Sequence, residues 1–152
     1  MVDEKDRPLD GELDAFDLEQ SIHGQSTDAF LQRLVHLVNT TTIELDVTLT
    51  LGGNVITGRL IGGKRYHQEF ASVIADAWPT EDSRQGIRDA FSSWAELYEK
   101  PEELAQRPPQ YIHLRDAYYV TQDAQFPRVG MLWRGRINAV SGFALGRFSF
   151  ME

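Results

Sequence analysis

The sequence predicts a mostly β protein with helices, in which one N-terminal helix precedes a small, strongly bent five-stranded barrel. A strictly alternating strand, a glycine turn and a return strand follow one another over residues 43–61. Strand-forming residues resume between residues 111 and 148, and the region between the two has helical spacing. Five bent strands after one helix fit a small closed barrel better than an open sheet.

The N-terminal helix is predicted from its caps and its apolar spacing. Ser26, Thr27 and Asp28 are N-cap candidates, and Asn39 can close the helix. The apolar residues that follow at helical spacing are Phe30, Leu31, Leu34, Val35 and Val38. A helix of about three turns is too short to be stable alone, so it needs a surface on which to dock.

The first two strands form a predicted hairpin. Apolar residues occupy the odd positions from 43 to 51 and polar residues the even ones, which is typical of a half-buried strand. Gly52 and Gly53 predict a tight turn, and Gly62-Gly63 is interpreted as a second turn. Gly58, in the middle of the return strand, would let that strand bend sharply.

A helical insertion is predicted over residues 66–108, between the second and third strands. Its first helix has an apolar face and stops before Pro79. That face consists of Phe70, Val73, Ile74, Ala77 and Trp78. A second helix follows, with Ile87, Ala90, Phe91, Trp94, Leu97 and Tyr98 on one side. The insertion carries a net charge of −5, which favours a solvated outer face.

The last three strands are predicted over residues 111–120, 129–140 and 143–148. Most aromatic side chains near the C-terminus are interpreted as barrel core. In a five-stranded barrel the fourth strand, Leu132 to Val140, and the fifth, Phe143 to Phe148, would each have an unpaired edge. Such an edge can pair with a strand of another chain.

Composition excludes several classes of protein. The chain of 152 residues has no cysteine, which excludes disulfide scaffolds and thiolate chemistry. Its four histidines are scattered and no nucleophile or phosphate-binding motif is present, so we expect no catalytic residue, metal or cofactor, and no enzyme. No secretory signal or apolar run long enough to span a membrane is visible. We therefore expect a cytoplasmic protein with no membrane partner.

The chain divides into an acidic tail, residues 1–24, and one domain, residues 25–152. The tail has a net charge of −6 and scattered apolar residues, which is typical of disorder. A second interpretation is that Leu13, Phe16 and Leu18 bind a partner, since acidic stretches with interleaved hydrophobic residues are an interaction composition.

The order of elements resembles the Sm-like fold. Gly58-Arg59-Leu60 matches the internal glycine of its second strand. The sequences LRDA at residues 114–117 and WRGRI at residues 133–137 are similar to its two signatures. The resemblance implies a barrel whose fourth strand pairs with the fifth strand of a neighbouring copy.

A closer resemblance covers most of residues 28–148. It is carried by LTLGGNVITG at residues 49–58, LIGGKRY at residues 60–66, YIHLRDA at residues 111–117 and WRGRINAVSGF at residues 133–143. These phrases are similar to the gas-vesicle accessory protein U family. That resemblance implies an accessory role in vesicle formation or clustering, exerted through protein–protein interaction and without catalysis.

The chain departs from RNA-binding Sm proteins at the nucleotide pocket. Arg134 matches the pocket arginine, but Gly62-Gly63 stands near the expected aspartate and Tyr111 stands at the expected asparagine. Tyr111 can stack on a base, but the pair that reads uracil is missing. An Sm-like RNA-binding regulator remains the alternative function, and RNA is not the expected partner.

The predicted partners are therefore a second copy of the chain, in a homo-oligomer or ring, and gas-vesicle proteins. The residues expected to form the interface or a ligand-binding rim are Gly58, Tyr111, Arg134, Gly135, Arg136, Ile137 and Leu145.

Overall fold

The computed structural model describes residues 27–149, and the predicted tail with Leu13, Phe16 and Leu18 lies outside them. In chain order the elements are α1 (Ala29–Thr40), β1 (Leu45–Leu51), β2 (Asn54–Ile61), α2 (Gly63–Asp76), α3 (Glu81–Ser92), a 3-10 helix (Ser93–Tyr98), α4 (Pro101–Gln106), β3 (Tyr111–Val120), β4 (Gln125–Arg136), a 3-10 turn (Ile137–Ala139) and β5 (Gly142–Leu145).

The five strands form one antiparallel sheet in the order β4-β3-β2-β1-β5. The prediction of a closed barrel is wrong, because β4 pairs with β3, β5 pairs with β1, and the two do not pair with each other. The 3-10 turn over Ile137–Ala139 ends β4, and β5 is only 4 residues long. The sheet therefore has an edge at β4 and another at β5.

One face of the sheet, called here the inner face, packs against α1. The predicted N-cap is confirmed, since Asp28 Oδ1 accepts hydrogen bonds from the backbone N–H groups of Phe30 (2.8 Å) and Leu31 (3.1 Å). The buried core between α1 and the strands contains Leu31, Val35, Val38, Val47, Leu49, Ile56, Leu60, Ile112, Leu114, Ala117, Ile137 and Val140. Burying a side chain of this size contributes roughly 1.5–3 kcal/mol, so this contact supplies the docking surface that α1 requires.

The hairpin turn and the bend at Gly58 agree with the prediction. Gly52 and Gly53 have φ angles of 54° and 87°, which glycine adopts without strain. The register of β2 with β3 shifts between Thr57 and Arg59. A Cβ on Gly58 would lie 3.2 Å from the Cα of Ala117, so the missing side chain also allows β3 to approach closely.

The helical insertion covers the opposite, outer face of the sheet. It begins at Gly63 rather than at residue 66. The buried residues of its first helix, α2, are Gly63, Tyr66, His67, Ala71 and Ala75, whereas Val73 of the predicted apolar face is 61% exposed. The helix therefore turns a different face towards the sheet than its aliphatic spacing predicted.

The ends of β4 and β5 also differ from the prediction. Strand β4 includes Pro127 and stops at Arg136, and proline is tolerated there because β4 is an edge strand. Strand β5 stops at Leu145 instead of Phe148. Ile137 is fully buried and its N–H donates to the Gln110 carbonyl (2.9 Å). It is therefore a core residue and not part of an open edge.

Candidate binding cleft around Arg134

Arg134 lies on the edge strand β4, opposite His113 of β3. Its guanidinium carbon stands 3.9 Å from the centroid of the Tyr111 ring, in a cation–π contact. Arg59, Arg65, Arg115 and Arg147 each have a carboxylate oxygen within 4.0 Å. Within residues 27–149 no such ion pair involves Arg134. Its charge is therefore available to an anion.

Two cavities share Arg134, and we call them together the Arg134 cleft. One cavity of about 210 Å³ has aromatic walls contributed by the insertion. Its lining residues are Tyr66, His67, Phe70, Phe91, Trp94 and Arg134. The other cavity, of about 400 Å³, lies between α1, the end of the insertion and Tyr111, and includes Leu97, Tyr98 and Pro109. The guanidinium thus stands between an aromatic cavity and a mixed cavity whose lining also contains Glu103 and Arg107.

The floor of the cleft is a buried group of aromatic rings and imidazoles. The ring centroids of Tyr66 and His113 are 4.5 Å apart, and those of His67 and Tyr98 are 5.6 Å apart. His67 Nδ1–H donates to the Gly63 carbonyl (2.7 Å). Neither ring nitrogen of His113 has a hydrogen-bond partner among the described residues, although the side chain is only 1% exposed.

Burial keeps this floor uncharged near neutral pH. Desolvation, followed by smaller electrostatic effects of His67 and Arg134, lowers the pKa of His113 to about 3. Desolvation also lowers the pKa of His67, while it raises the pKa values of Tyr66 and Tyr98. Arg134 is consequently the single charged group in the lining of the aromatic cavity.

Two larger surface cavities, of about 500 and 420 Å³, are less suited to binding. The first is lined in part by Glu69 and Arg115, and the second by Glu44 and Arg65. These groups already form ion pairs with one another, including Arg115 with Glu44 at 3.1 Å and Arg65 with Glu69 at 2.9 Å. A ligand there would have to compete with existing partners, whereas Arg134 has no carboxylate partner among residues 27–149.

The structure brings some of the predicted site residues together and separates others. Tyr111 and Arg134 are stacked, and Arg136 lies opposite Tyr111 in the register. Gly135 faces the inner side, where a Cβ would collide with the Trp133 ring. Ile137 and Gly58 are structural positions, in the core and in the middle of the sheet. Leu145 is 68% exposed on β5, at the opposite edge.

Both edges of the sheet have backbone N–H groups directed outward. The Ile137 N–H donates to the Gln110 carbonyl, in register with the β3–β4 pairing. Since successive residues of an antiparallel edge strand direct their N–H groups alternately towards and away from the neighbouring strand, those of Arg134 and Arg136 point away from β3. At the other edge, the Gly146 N–H donates to Asp46 (2.7 Å), so that of Leu145 points away from β1.

Sequence reasoning missed the contribution of the insertion to the cleft. The sequence pattern assigns no role to Tyr66 or His67, and it places Trp94 and Tyr98 on one helix face. The available signal was the density of aromatic residues and histidine at positions 66, 67, 70, 91, 94 and 98.

The described residues contain neither a metal-binding cluster nor a helix suited to crossing a membrane. Between residues 27 and 149, no three His, Asp or Glu side chains are grouped so that they could hold a metal ion. None of the helices in that part of the chain has both the length and the apolar character needed to cross a membrane.

Comparison with known proteins identifies the family. The model of the family described as gas vesicle protein GvpU-like matches residues 28–148. The chain belongs to the GvpU-like family. No curated protein and no solved structure matches the chain. The matched range contains every element of this GvpU-like chain from α1 to β5 and the whole Arg134 cleft, whereas residues 1–24 lie outside it.

Proposed function

We propose that this GvpU-like protein is a non-enzymatic gas-vesicle accessory protein that acts in the cytoplasm by protein–protein interaction. Family membership places it among gas-vesicle proteins. The observation that carries the proposal of protein–protein interaction is that β4 and β5 are edge strands, neither of which pairs on its outer side with any strand of the described residues, and each has N–H groups directed outward. Such edges are templates for pairing with another chain.

The partner is a second copy of this chain, with β4 of one copy beside β5 of the next. Two different edges make this contact heterologous, so repeated pairing produces a ring or a filament rather than a two-fold dimer. This arrangement is the one that the Sm-like resemblance implies, and the preceding helix and the bend at Gly58 support the same assignment. An oligomer presents several copies of each surface, which suits a protein that assembles or clusters vesicles.

Proline at each edge tests the pairing. Arg136 has φ −82° and an outward N–H, so Arg136→Pro fits the backbone and removes an edge donor. Leu145→Pro removes an outward N–H at β5. We expect each variant to shift the species seen by light scattering towards the monomer, with an unchanged circular dichroism spectrum. Leu145→Ser, which retains the N–H, is the matched control and should remain oligomeric.

Ile137→Pro provides the opposite control. It removes the internal bond to Gln110 and disturbs the core, so this variant should unfold rather than dissociate. If the unmodified protein is a monomer on the order of tens of micromolar, which is a range in which weak interfaces still associate, the edge-pairing proposal fails.

The vesicle role is tested with purified gas vesicles. We expect the unmodified protein to float with the vesicles and to increase their clustering, as measured by turbidity and microscopy. Arg136→Pro and Leu145→Pro should lose clustering in proportion to their loss of oligomers. Clustering by a monomeric variant, or none by the oligomer, would contradict the proposed role.

A further inference from the structure

We propose that residues 13–18 of the acidic tail dock in the Arg134 cleft of their own chain. The Phe16 side chain enters the aromatic cavity and the Asp17 carboxylate pairs with the Arg134 guanidinium. This inference is independent of the edge pairing proposed above, because it concerns the outer face of the sheet and not the backbone of β4 or β5.

The cleft has the chemistry that such a segment requires. Arg134 has no carboxylate partner within residues 27–149 and stands between an aromatic cavity and a second cavity of mixed lining. Trp94 and Leu97 at the mouths of these cavities are 56% and 62% exposed. An occupant that matches both features presents an apolar side chain directly beside an acid. In the aromatic cavity, which Phe16 would enter, tyrosine and imidazole add no charge that would repel the segment. In the second cavity the carboxylate of Glu103 is accompanied by the cation of Arg107.

The tail supplies this pattern. Residues 13–18 read LDAFDL, in which three apolar side chains other than alanine alternate with two carboxylates. The whole segment 1–24 carries a net charge of −6, so it is complementary to the cationic centre of the cleft. A partner protein would have to provide the same pattern from outside, whereas the tail is tethered and therefore present at a high effective concentration.

The segment between the tail and helix α1 is also long enough for the tail to reach the Arg134 cleft. The Gln32 side chain, in the first turn of α1, donates to the Pro109 carbonyl (2.9 Å), and Pro109 and Arg134 line the same cavity. Helix α1 therefore begins beside the cleft. The nine residues between Leu18 and Asp28 give ten Cα–Cα steps, which span up to about 33 Å when extended.

A spin label on the full chain tests the proposal. The chain has no cysteine, so Gln20→Cys provides a single site for a nitroxide. We expect the label to remove most of the intensity of the Trp94 indole N–H signal in a nitrogen-15 NMR spectrum. The Trp133 indole, whose N–H donates to the Tyr119 hydroxyl (3.1 Å) among the inner-face residues, should keep its intensity and serves as the reference.

Matched variants distinguish specific docking of the tail from a tail that is merely close to the cleft. Phe16→Ala, Asp17→Asn and Arg134→Gln should each restore the Trp94 signal, and the first two leave the cleft unaltered. Leu9→Ala in the tail and Arg136→Gln on the same face of β4 should leave the loss of signal unchanged. If Trp94 and Trp133 lose equal intensity, or if Asp17→Asn and Arg134→Gln have no effect, the proposal is overturned.

A mixed sample identifies which chain supplies the tail. Isotope-labelled protein without the spin label is mixed with unlabelled, spin-labelled protein. No loss of the Trp94 signal is expected in this mixture. A selective loss would show that the tail comes from a second copy and would overturn the docking within one chain.

Discussion

The two glycine pairs show how one sequence pattern can have two physical causes. Gly52 and Gly53 have positive φ angles and open space around them, so the hairpin turn requires them. Gly62 and Gly63 have no such angles. A Cβ on Gly62 would lie 2.7 Å from the Val38 carbonyl oxygen, and one on Gly63 would collide with the Tyr98 ring. The interpretation of the second pair as a turn was wrong, and close packing explains it instead.

Gly58 and Gly86 are a matched pair for testing this distinction. A Cβ on Gly58 would stand 3.2 Å from both the Ala117 Cα and the Arg115 carbonyl, whereas Gly86 in α3 has nothing within 4 Å. We expect Gly58→Val to lower the free energy of unfolding by about 1–3 kcal/mol through overpacking. Gly86→Ala should raise it by about 1 kcal/mol through helix propensity. Urea unfolding measures both, and an equal effect in the two variants would contradict the packing explanation.

His113 predicts a loss of stability in acid. Its pKa is about 3 in the folded protein and 6.5 ordinarily, so between these values the unfolded chain binds more protons than the folded one. The free energy of unfolding therefore falls as the pH drops below about 6.5, and the loss continues to about pH 3. At pH 5 this contribution is about 2 kcal/mol.

The variant His113→Leu isolates this contribution. We expect the difference in unfolding free energy between pH 7 and pH 5 to be smaller in the variant than in the unmodified protein by about 2 kcal/mol. Urea unfolding at both values measures it, and other titrating groups cancel in the comparison. Identical pH dependence in the two proteins would mean that His113 is solvated or bonded in the folded state.

At the scale of single elements, α1 is the part whose boundaries the sequence predicted best. Asp28 was among three cap candidates, and its carboxylate accepts two backbone hydrogen bonds at the start of the helix. We expect Asp28→Ala to lower the free energy of unfolding by about 0.5–2 kcal/mol, because two N–H groups lose their acceptor. Ser26→Ala is the control and should have no such effect in thermal or urea unfolding.

The helical insertion contains features that the spacing of its apolar residues predicts and one that it does not. Its helical character, its acidity and its place between β2 and β3 were predicted, because they depend on local composition. The face of α2 that packs on the sheet was not predicted, since it depends on which side chains the sheet presents to the helix. The outer face presents Ile61 and His113, which are both buried, and Tyr66 and His67 pack there in preference to Val73. No pattern within the helix carries that information.

The strand ends were missed for a similar reason. Residues 137–140 have strand-type composition, but Ile137 and Val140 are buried in the core as the chain turns through a 3-10 helix. Hydrophobic residues favour both arrangements equally. The choice depends on the space beneath the sheet, which is a tertiary property.

At the scale of the whole molecule, charge is separated between the parts of the chain. The tail and the insertion are acidic, while the rest of the chain carries a net charge of +3 within an overall −8. Arg134 lies where the acidic insertion meets the more basic sheet. A protein with this distribution repels extended phosphate backbones in general but can accept a short anionic segment at one position.

The last prediction concerns RNA, the alternative function of the Sm-like resemblance. Tyr111 and Arg134 do stack as a base-binding pair would. The aspartate that reads the base is expected near position 62, but the Val38 carbonyl leaves no room for a side chain at that position. We expect U-rich and A-rich oligonucleotides to bind equally weakly, with dissociation constants above ~1 μM near physiological salt. Fluorescence anisotropy at two salt concentrations measures this. Saturable, submicromolar binding that prefers uracil would contradict it, and would make RNA rather than the acidic tail the natural occupant of the Arg134 cleft.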